Sequence, residues 1–172
     1  LIINNVELFI IHPPEKQYLN SFNEIISNFF NQNKLEKINV ISGHINPQII
    51  ETIKNVSKQF QDLTITCSNP GFKLINELWN QRNPNLKDFV EIQLPKINIV
   101  KKELNLELDN ISLELIPIPT ARWPGGLIIY ERNQEILLSE KIFSAHIASE
   151  YWSEVNRIST EIDRSEEHTS EL

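Results

Sequence analysis

Three segments of the chain place polar side chains directly after a predicted strand, and they are the candidate sites for chemistry: residues 43–49, 119–126 and 139–146. Loops that leave the carboxyl ends of strands carry many of the binding and catalytic residues of mixed helix and strand folds. The most distinctive side chains of these segments are His44, Arg122 and Lys141. An imidazole can ligate a metal ion, whereas a protonated arginine has no lone pair to offer one.

Each of these side chains also has a purely structural explanation. His44 could be a strand-end histidine that is hydrogen-bonded to the backbone and has no role as a ligand. Arg122 could stack on the neighbouring Trp123 or form a structural salt bridge. Lys141 could be a solvated loop lysine. Taken by themselves, the residues leave both explanations open.

Other reactive side chains offer less. The single Cys67 lies between apolar residues, which predicts a buried, inert thiol and excludes an intramolecular disulfide and a multi-cysteine zinc site. His12 and His146 have no partner at ligand spacing, which favours structural roles. The Gly125-Gly126 pair predicts a turn rather than a phosphate loop, because no Lys-Ser or Lys-Thr pair follows it.

Composition indicates one domain with a hydrophobic core. The chain has 172 residues, of which 40% are hydrophobic and 23% are charged, and its formal net charge is −7. Lysine and arginine are dispersed, which argues against a nucleic-acid surface. No apolar run reaches the roughly 18 residues that a membrane helix needs. We therefore expect a cytoplasmic protein, or a plastid stromal one if the source is eukaryotic, with no membrane partner.

The first half of the chain alternates strands with helices. The predicted strands occupy residues 1–11 (one strand or the end of a hairpin), 37–42 and 63–67, and the predicted helices begin near Glu15, Asn46-Pro47 and Asn69-Pro70. An asparagine followed by proline is a helix start signal, since asparagine caps well and proline suits the first turn. Helical periodicity places Phe22, Phe29, Phe30 and Trp79 in the core.

The second half is rich in strands. Strand patterns cover residues 89–92, 97–108, 111–118, 127–130 and 135–138, with Asp109-Asn110 as a hairpin turn. A last helix is predicted over residues 149–163, with Trp152, Val155, Ile158 and Ile162 on its inner face. One compact α/β or α+β unit, in which helices cover sheets, accounts for this order of elements.

The order of segments resembles the metallo-β-lactamase-fold domain of flavodiiron proteins, especially the diflavin type of oxygenic phototrophs. The resemblance covers residues 1–163 and is carried by the turn at His44, by residues 67–71 (CSNPG), by residues 119–126 (PTARWPGG) and by residues 137–146 (LLSEKIFSAH). It implies a metallo-β-lactamase-like αββα sandwich, incomplete at both ends.

The resemblance also implies an activity and cofactors. Members of this family reduce dioxygen to water, with FMN passing electrons to a non-haem di-iron centre. The flavin belongs to a separate flavodoxin-like domain that this chain lacks, so we expect no cofactor in this fragment. Family members form head-to-tail dimers, which predicts a homodimer or a heterodimer with a flavodiiron paralogue.

The ligand positions implied by the resemblance are poorly filled. The HxExDH motif of the family falls on His44, Asn46, Gln48 and Ile49, and two later ligands fall on Arg122 and Lys141, while the sixth lies beyond Asp163. Only His44 keeps a ligand type. Because arginine stays protonated and has no lone pair for a metal ion, we expect no metal here.

The last residues do not continue the pattern. Residues 164–172 resemble the translation of a sequencing-library adapter, and we exclude them from the fold. The chain contains no Met, so we expect its initiator residue to lie outside it.

Two functions remain. The first is part of a flavodiiron-type oxidoreductase that reduces dioxygen with electrons from NAD(P)H via flavin, with a non-functional di-iron site in this chain. The alternative is a non-catalytic, metal-free partner or dimerisation domain of a heteromeric flavodiiron complex. A zinc hydrolase of the same fold needs an HxHxDH cluster, of which only His44 is present. Whether the chain is itself an enzyme stays open, and we expect the fragment alone to be inactive.

Overall fold

A computed structural model describes residues 1–81, 92–120 and 123–140. Its contacts divide the chain into the units Leu1–Leu138 and Ser139–Leu172. The described residues of the second unit are Ser139 and Glu140, and Glu140 has a left-handed φ of 58°. Several predictions lie outside the described residues: most of the strand at 89–92, the helix at 149–163, the segment 164–172, and the side chains of Arg122, Lys141 and His146.

The first sheet has five strands in sequence order. They are β1 (Ile2–Asn4), β2 (Glu7–Ile11), β3 (Lys37–Ile41), β4 (Leu63–Ser68) and β5 (Lys96–Val100). β1 and β2 form an antiparallel hairpin, so the prediction of a hairpin end is confirmed. The pairs from β2 to β5 are parallel, and their carboxyl ends therefore lie along one edge of the sheet.

Three helices form the crossovers and cover one face of this sheet. They are α1 (Leu19–Asn33), which follows a 3₁₀ turn, α2 (Pro47–Gln59) and α3 (Asn69–Trp79). Their apolar residues pack on the sheet residues that alternate toward them, such as Ile10, Ile38 and Ile65. Cys67 is buried in this core, and burial raises the pKa of its thiol to about 12, as expected for an inert thiol.

The prediction that Phe29 lies in the core is wrong. Phe29 is 37% exposed and Ile25 is 46% exposed, whereas Ile26 is fully buried. The apolar positions of α1 cover more of its circumference than one sheet can bury, because a helix that packs on one side buries only one stripe.

The second sheet is an antiparallel meander. Its strands are β6 (Leu104–Leu108), β7 (Ile111–Pro117), β8 (Leu127–Glu131) and β9 (Ile136–Leu138), and the predicted turn at Asp109-Asn110 joins β6 to β7. The prediction of one strand over 97–108 is wrong, because β5 and β6 belong to different sheets. The Lys-Lys-Glu at residues 101–103 is exposed between them, since charged side chains are not buried without partners.

A second core lies between the two sheets. Phe9, Ile41 and Val100 of the first sheet belong to the same apolar cluster as Leu115 and Ile129 of the second. The described part of the chain thus has three layers: helices, the first sheet and the second sheet. No helix in it is both long and apolar enough to cross a membrane.

Candidate functional site

The residues of interest meet at the carboxyl edge of the parallel strands. β2 ends immediately before His12, β3 is followed by Gly43 and His44, and β4 ends at Ser68. The backbone joins the first two positions, since the His12 N–H donates to the Ile41 carbonyl over 2.8 Å. Parallel strands in adjacent register bring their following loops together, which is why the residues share this edge.

The loop between β3 and α2 fixes His44 by local hydrogen bonds. The Ser42 hydroxyl donates to the His44 carbonyl over 2.8 Å. Two residues later Asn46 is the N-cap of α2, and its Oδ1 accepts the Ile49 N–H over 2.8 Å. Pro47 occupies the first turn, as the Asn-Pro signal predicts.

The other end of the Asn46 amide connects two further side chains. Its Nδ2 lies 3.1 Å from Glu15 Oε1 and 3.1 Å from His44 Nε2. Glu15 comes from the segment between β2 and α1, so the amide links that segment to the loop after β3. The Asn46 amide therefore connects three polar side chains in series: Glu15, Asn46 and His44.

His12 is a second imidazole at the same edge. Its φ of 50° is left-handed, a conformation in which histidine is more common than most residues. Its Nδ1 accepts the Gly43 N–H over 3.3 Å. Burial, opposed by a backbone hydrogen bond to Leu138 and reinforced by the nearby His44, lowers the pKa of His12 to about 4. His12 is therefore neutral near pH 7 and holds the loop, in agreement with the structural role predicted for it.

The loop between β7 and β8 brings an aromatic ring to His44. The ring centroids of Trp123 and His44 are 6.0 Å apart, with an interplanar angle of 48°. The backbones of Thr120 and Trp123 exchange two hydrogen bonds of 3.2 Å, and Gly125 lies in the predicted turn. Arg122 is the neighbour of Trp123 in sequence but lies outside the described residues.

Glycines let this loop approach the parallel sheet closely. A Cβ at Gly43 would collide with the carbonyl oxygen of Leu127. A Cβ at Gly71, in the first turn of α3, would lie 3.6 Å from the Gly125 carbonyl oxygen. That carbonyl accepts the hydroxyl hydrogen of the fully buried Ser68 over 2.9 Å. The approach of Leu127 therefore requires glycine at position 43, whereas the nearest contacts of Gly71, at 3.2 and 3.3 Å, are only tight.

The four described ligand positions do not come together as a set. His44 and Asn46 are adjacent, but Gln48 is exposed and Ile49 is buried at 3% exposure. A di-iron centre needs several nitrogen and carboxylate donors that converge on the metal ions. Within the ranges that the structure describes, no group of three or more His, Cys, Asp or Glu side chains could hold a metal ion. These side chains do not fit a di-iron centre.

Sequence reasoning missed Glu15, the capping role of Ser68 and the contact between His12 and Gly43. Glu15 carries no local signal, because it only follows two prolines, and its contact with Asn46 spans 31 positions. The contact between His12 and Gly43 is as distant along the chain. Ser68 did carry a signal, since serine is a preferred N-cap, but the Asn-Pro pair that follows it points to Asn69 instead.

Comparison with known proteins agrees with this architecture. The family model described as ODP family beta lactamase matches residues 1–170, a range that also includes most of the segment 164–172. Diflavin flavoprotein A 5 from Nostoc sp. is 31% identical over 149 residues, which are 87% of this chain and 24% of that protein. Diflavin flavoprotein A 3 from Synechocystis sp. is 29% identical over 150 residues, covering 87% and 23%. This chain spans about a quarter of the length of such relatives.

Solved structures show the same fold. A fragment of the Nostoc diflavin flavoprotein A 5 has a TM-score of 0.65 and 29% identity, and the match covers 86% of this chain and 53% of the fragment. The metal-soaked Flv1 flavodiiron core from Synechocystis has a TM-score of 0.70 at 23% identity, with 99% and 44% coverage. Because the Flv1 core is only 23% identical to this chain, its similarity supports the fold alone. The chain belongs to the ODP family of beta-lactamase-like proteins, and its relatives are diflavin flavodiiron proteins.

Proposed function

We propose that this chain is part of a flavodiiron-type oxidoreductase that reduces dioxygen to water with electrons from NAD(P)H via flavin, and that its own di-iron site is non-functional. The names of its relatives support the use of flavin in the first half of this proposal, since they are diflavin flavoproteins. The FMN would belong to a flavodoxin-like domain outside these residues, and the protein would act in the cytoplasm or the plastid stroma.

The chemistry at the ligand positions supports the second half. At the first carboxylate position of the motif stands Asn46, whose only ligating atom, Oδ1, accepts the Ile49 N–H. Ile49, at the last position of the motif, offers no donor atom. Arg122 and Lys141 would add two positive charges at further positions, and cations in place of ligands oppose the binding of iron.

Iron content tests this proposal. We expect the purified protein, incubated anaerobically with Fe²⁺ and then desalted, to retain far less than one iron per chain by elemental analysis. A flavodiiron protein with all six ligands, treated in parallel, provides the control and should retain two. Two tightly held irons per chain in this protein would overturn the assignment of a non-functional site.

The alternative function is a metal-free partner domain in a homodimer or in a heterodimer with a flavodiiron paralogue. The two functions differ in NAD(P)H-dependent oxygen uptake, measured with an oxygen electrode on the full-length protein. Uptake by this protein alone would make it an enzyme in its own right. Uptake that requires an iron-containing paralogue, and exceeds that of the paralogue alone, would support a heteromeric subunit. No change on mixing would leave the partner role without support.

A further inference from the structure

We infer that Asn46 is a positioning residue that holds His44 in one tautomer, with Nε2 as a hydrogen-bond acceptor, so that the Asn46 amide occupies the Nε2 lone pair through which the ring could ligate a metal ion. The inference rests on the proposed metal-free function and extends it to a specific device. It follows from the hydrogen-bond donors and acceptors of three side chains, Glu15, Asn46 and His44.

The helix cap fixes the orientation of the Asn46 amide. The Ile49 N–H donates to Asn46 at 2.8 Å, so the atom that receives it is the oxygen. The backbone of Asn46 is extended, with φ −141° and ψ 169°, as an N-cap requires. Glu15 provides an independent check, because its carboxylate can only accept and therefore faces the amide nitrogen at 3.1 Å.

This orientation decides the tautomer of His44. The amide nitrogen carries two hydrogens, of which one serves Glu15 Oε1 and the other points to His44 Nε2 over 3.1 Å. If Nε2 were protonated, its N–H would face the N–H of the Asn46 amide, and two donors cannot form a hydrogen bond with each other. The lone pair is therefore on Nε2 and the proton of the neutral ring is on Nδ1.

The neighbouring imidazole is held in the opposite way. The acceptor atom of His12 is Nδ1, which receives the Gly43 N–H. Each ring thus has a different nitrogen engaged by a fixed donor, although the two rings lie at the same sheet edge. This contrast supplies an internal reference for any measurement of the His44 tautomer.

The arrangement has a consequence for metal binding. A metal ion at His44 Nε2 would have to displace the Asn46 amide hydrogen, because an unprotonated imidazole nitrogen has a single lone pair. That displacement would break the contact between the Asn46 amide and His44, which holds the ring in one tautomer.

Long-range ¹H–¹⁵N correlation spectra of the histidine rings test the inference. Spectra of the full ¹⁵N-labelled chain are recorded near pH 8, where an ordinary histidine is neutral, and His44 is assigned with His44→Gln. We expect the wild-type His44 to show an unprotonated Nε2. In Asn46→Asp the acceptor carboxylate should move the proton to Nε2, and in Asn46→Ser the ring should populate both tautomers.

Both variants keep a good N-cap, so protection of the Ile49 amide from hydrogen exchange should persist and controls for unfolding. Asn46→Asp sets a carboxylate against Glu15, and if that variant fails to fold, the uncharged Asn46→Ser carries the test. A wild-type proton on Nε2, or one tautomer shared by wild type and variants, would overturn the inference.

Iron content on the same samples separates this inference from the proposed function. Two irons per chain together with the expected apo tautomer would overturn the proposed function. Low iron together with a proton on Nε2 would overturn the role of Asn46 alone.

Discussion

Two helices that follow neighbouring parallel strands begin with the same Asn-Pro dipeptide, yet they are capped differently. In α2 the asparagine, Asn46, is the N-cap and its side chain accepts the Ile49 N–H. In α3 the asparagine, Asn69, is already the first helical residue, and the preceding Ser68 caps the helix by accepting the Gly71 N–H over 3.1 Å. The dipeptide is shifted by one position relative to the two helices.

Because of this shift, the two capping side chains form different hydrogen bonds in addition to the cap itself. The Asn46 amide has two hydrogens left after capping, and they reach Glu15 and His44. The Ser68 hydroxyl has one, and it donates to the Gly125 carbonyl in the loop before β8. The α2 cap therefore organises polar side chains, whereas the α3 cap attaches the second sheet. A local capping signal specifies a helix start, and the donors that remain decide the tertiary role.

Glycine replacement should give the largest contrast between the loop before α2, which contains Gly43, and the first turn of α3, which contains Gly71. Gly43→Ala should destabilise the protein by about 3 kcal/mol or more, because its Cβ would collide with the backbone of Leu127. Gly71→Ala should cost about 1 kcal/mol, since its nearest contacts, Ser68 Oγ at 3.2 Å and Cys67 Cβ at 3.3 Å, are only tight. The free energies of unfolding of the two variants are measured with urea. Equal losses of stability would show that the backbone near Gly43 can move to accommodate a Cβ.

Removal of the α3 cap should be the next largest effect. Ser68→Ala should cost about 2 kcal/mol, because it removes the cap and leaves the Gly125 carbonyl without its donor. Asn69→Ala is the matched control and should change stability by less than about 0.5 kcal/mol, since Asn69 is exposed and does not cap. A larger loss in Asn69→Ala than in Ser68→Ala would reverse the assignment of the cap.

Acid should weaken the α2 side of the comparison, because the loop before α2 is held by His12, a group that titrates. The folded pKa of His12, about 4, is below the ordinary 6.5, so between these values the unfolded chain binds a proton that the folded chain does not. The free energy of unfolding should thus fall by roughly 3 kcal/mol as the pH decreases from about 6.5 to 4, and the titration of His12 should not affect it above that range.

The control for this prediction is His12→Asn, which does not titrate and tolerates the left-handed backbone. Its Oδ1 can accept the Gly43 N–H in place of Nδ1. The difference in unfolding free energy between wild type and His12→Asn, measured by urea unfolding at several pH values, isolates the contribution of His12. A difference that stays constant from pH 7 to pH 4 would contradict the lowered pKa.

Much of the fold could be predicted because its signals are local. Apolar residues at helical spacing with Asn-Pro starts marked α2 and α3, and Asp109-Asn110 marked a hairpin that the structure confirms. The errors arose where strand pairing or burial depends on residues that are distant along the chain. Residues 97–108 are continuously strand-like, but they divide because β5 and β6 pair with different neighbours. Phe29 fits the helical period, yet the sheet has no room left to bury it.

The sequence could predict some residues of the candidate site, but it could not predict which of their side chains are in contact. The resemblance identified His44 and Asn46, and the structure brings them within 3.1 Å. Glu15 could not be identified in the same way, because nothing near it in sequence indicates that an amide 31 positions away will donate to it. Arg122 and Lys141 remain predictions, as both lie outside the described residues.

By itself, the sequence determined the alternation of strands and helices and the family resemblance, because each depends on residue identity and short-range spacing. The tertiary structure alone decided which donor meets which acceptor: the Asn46 amide with Glu15 and His44, and the Ser68 hydroxyl with Gly125. Hydrogen bonds are short and directional, so their pairing depends on how the strands register and how closely the glycines let the sheets approach.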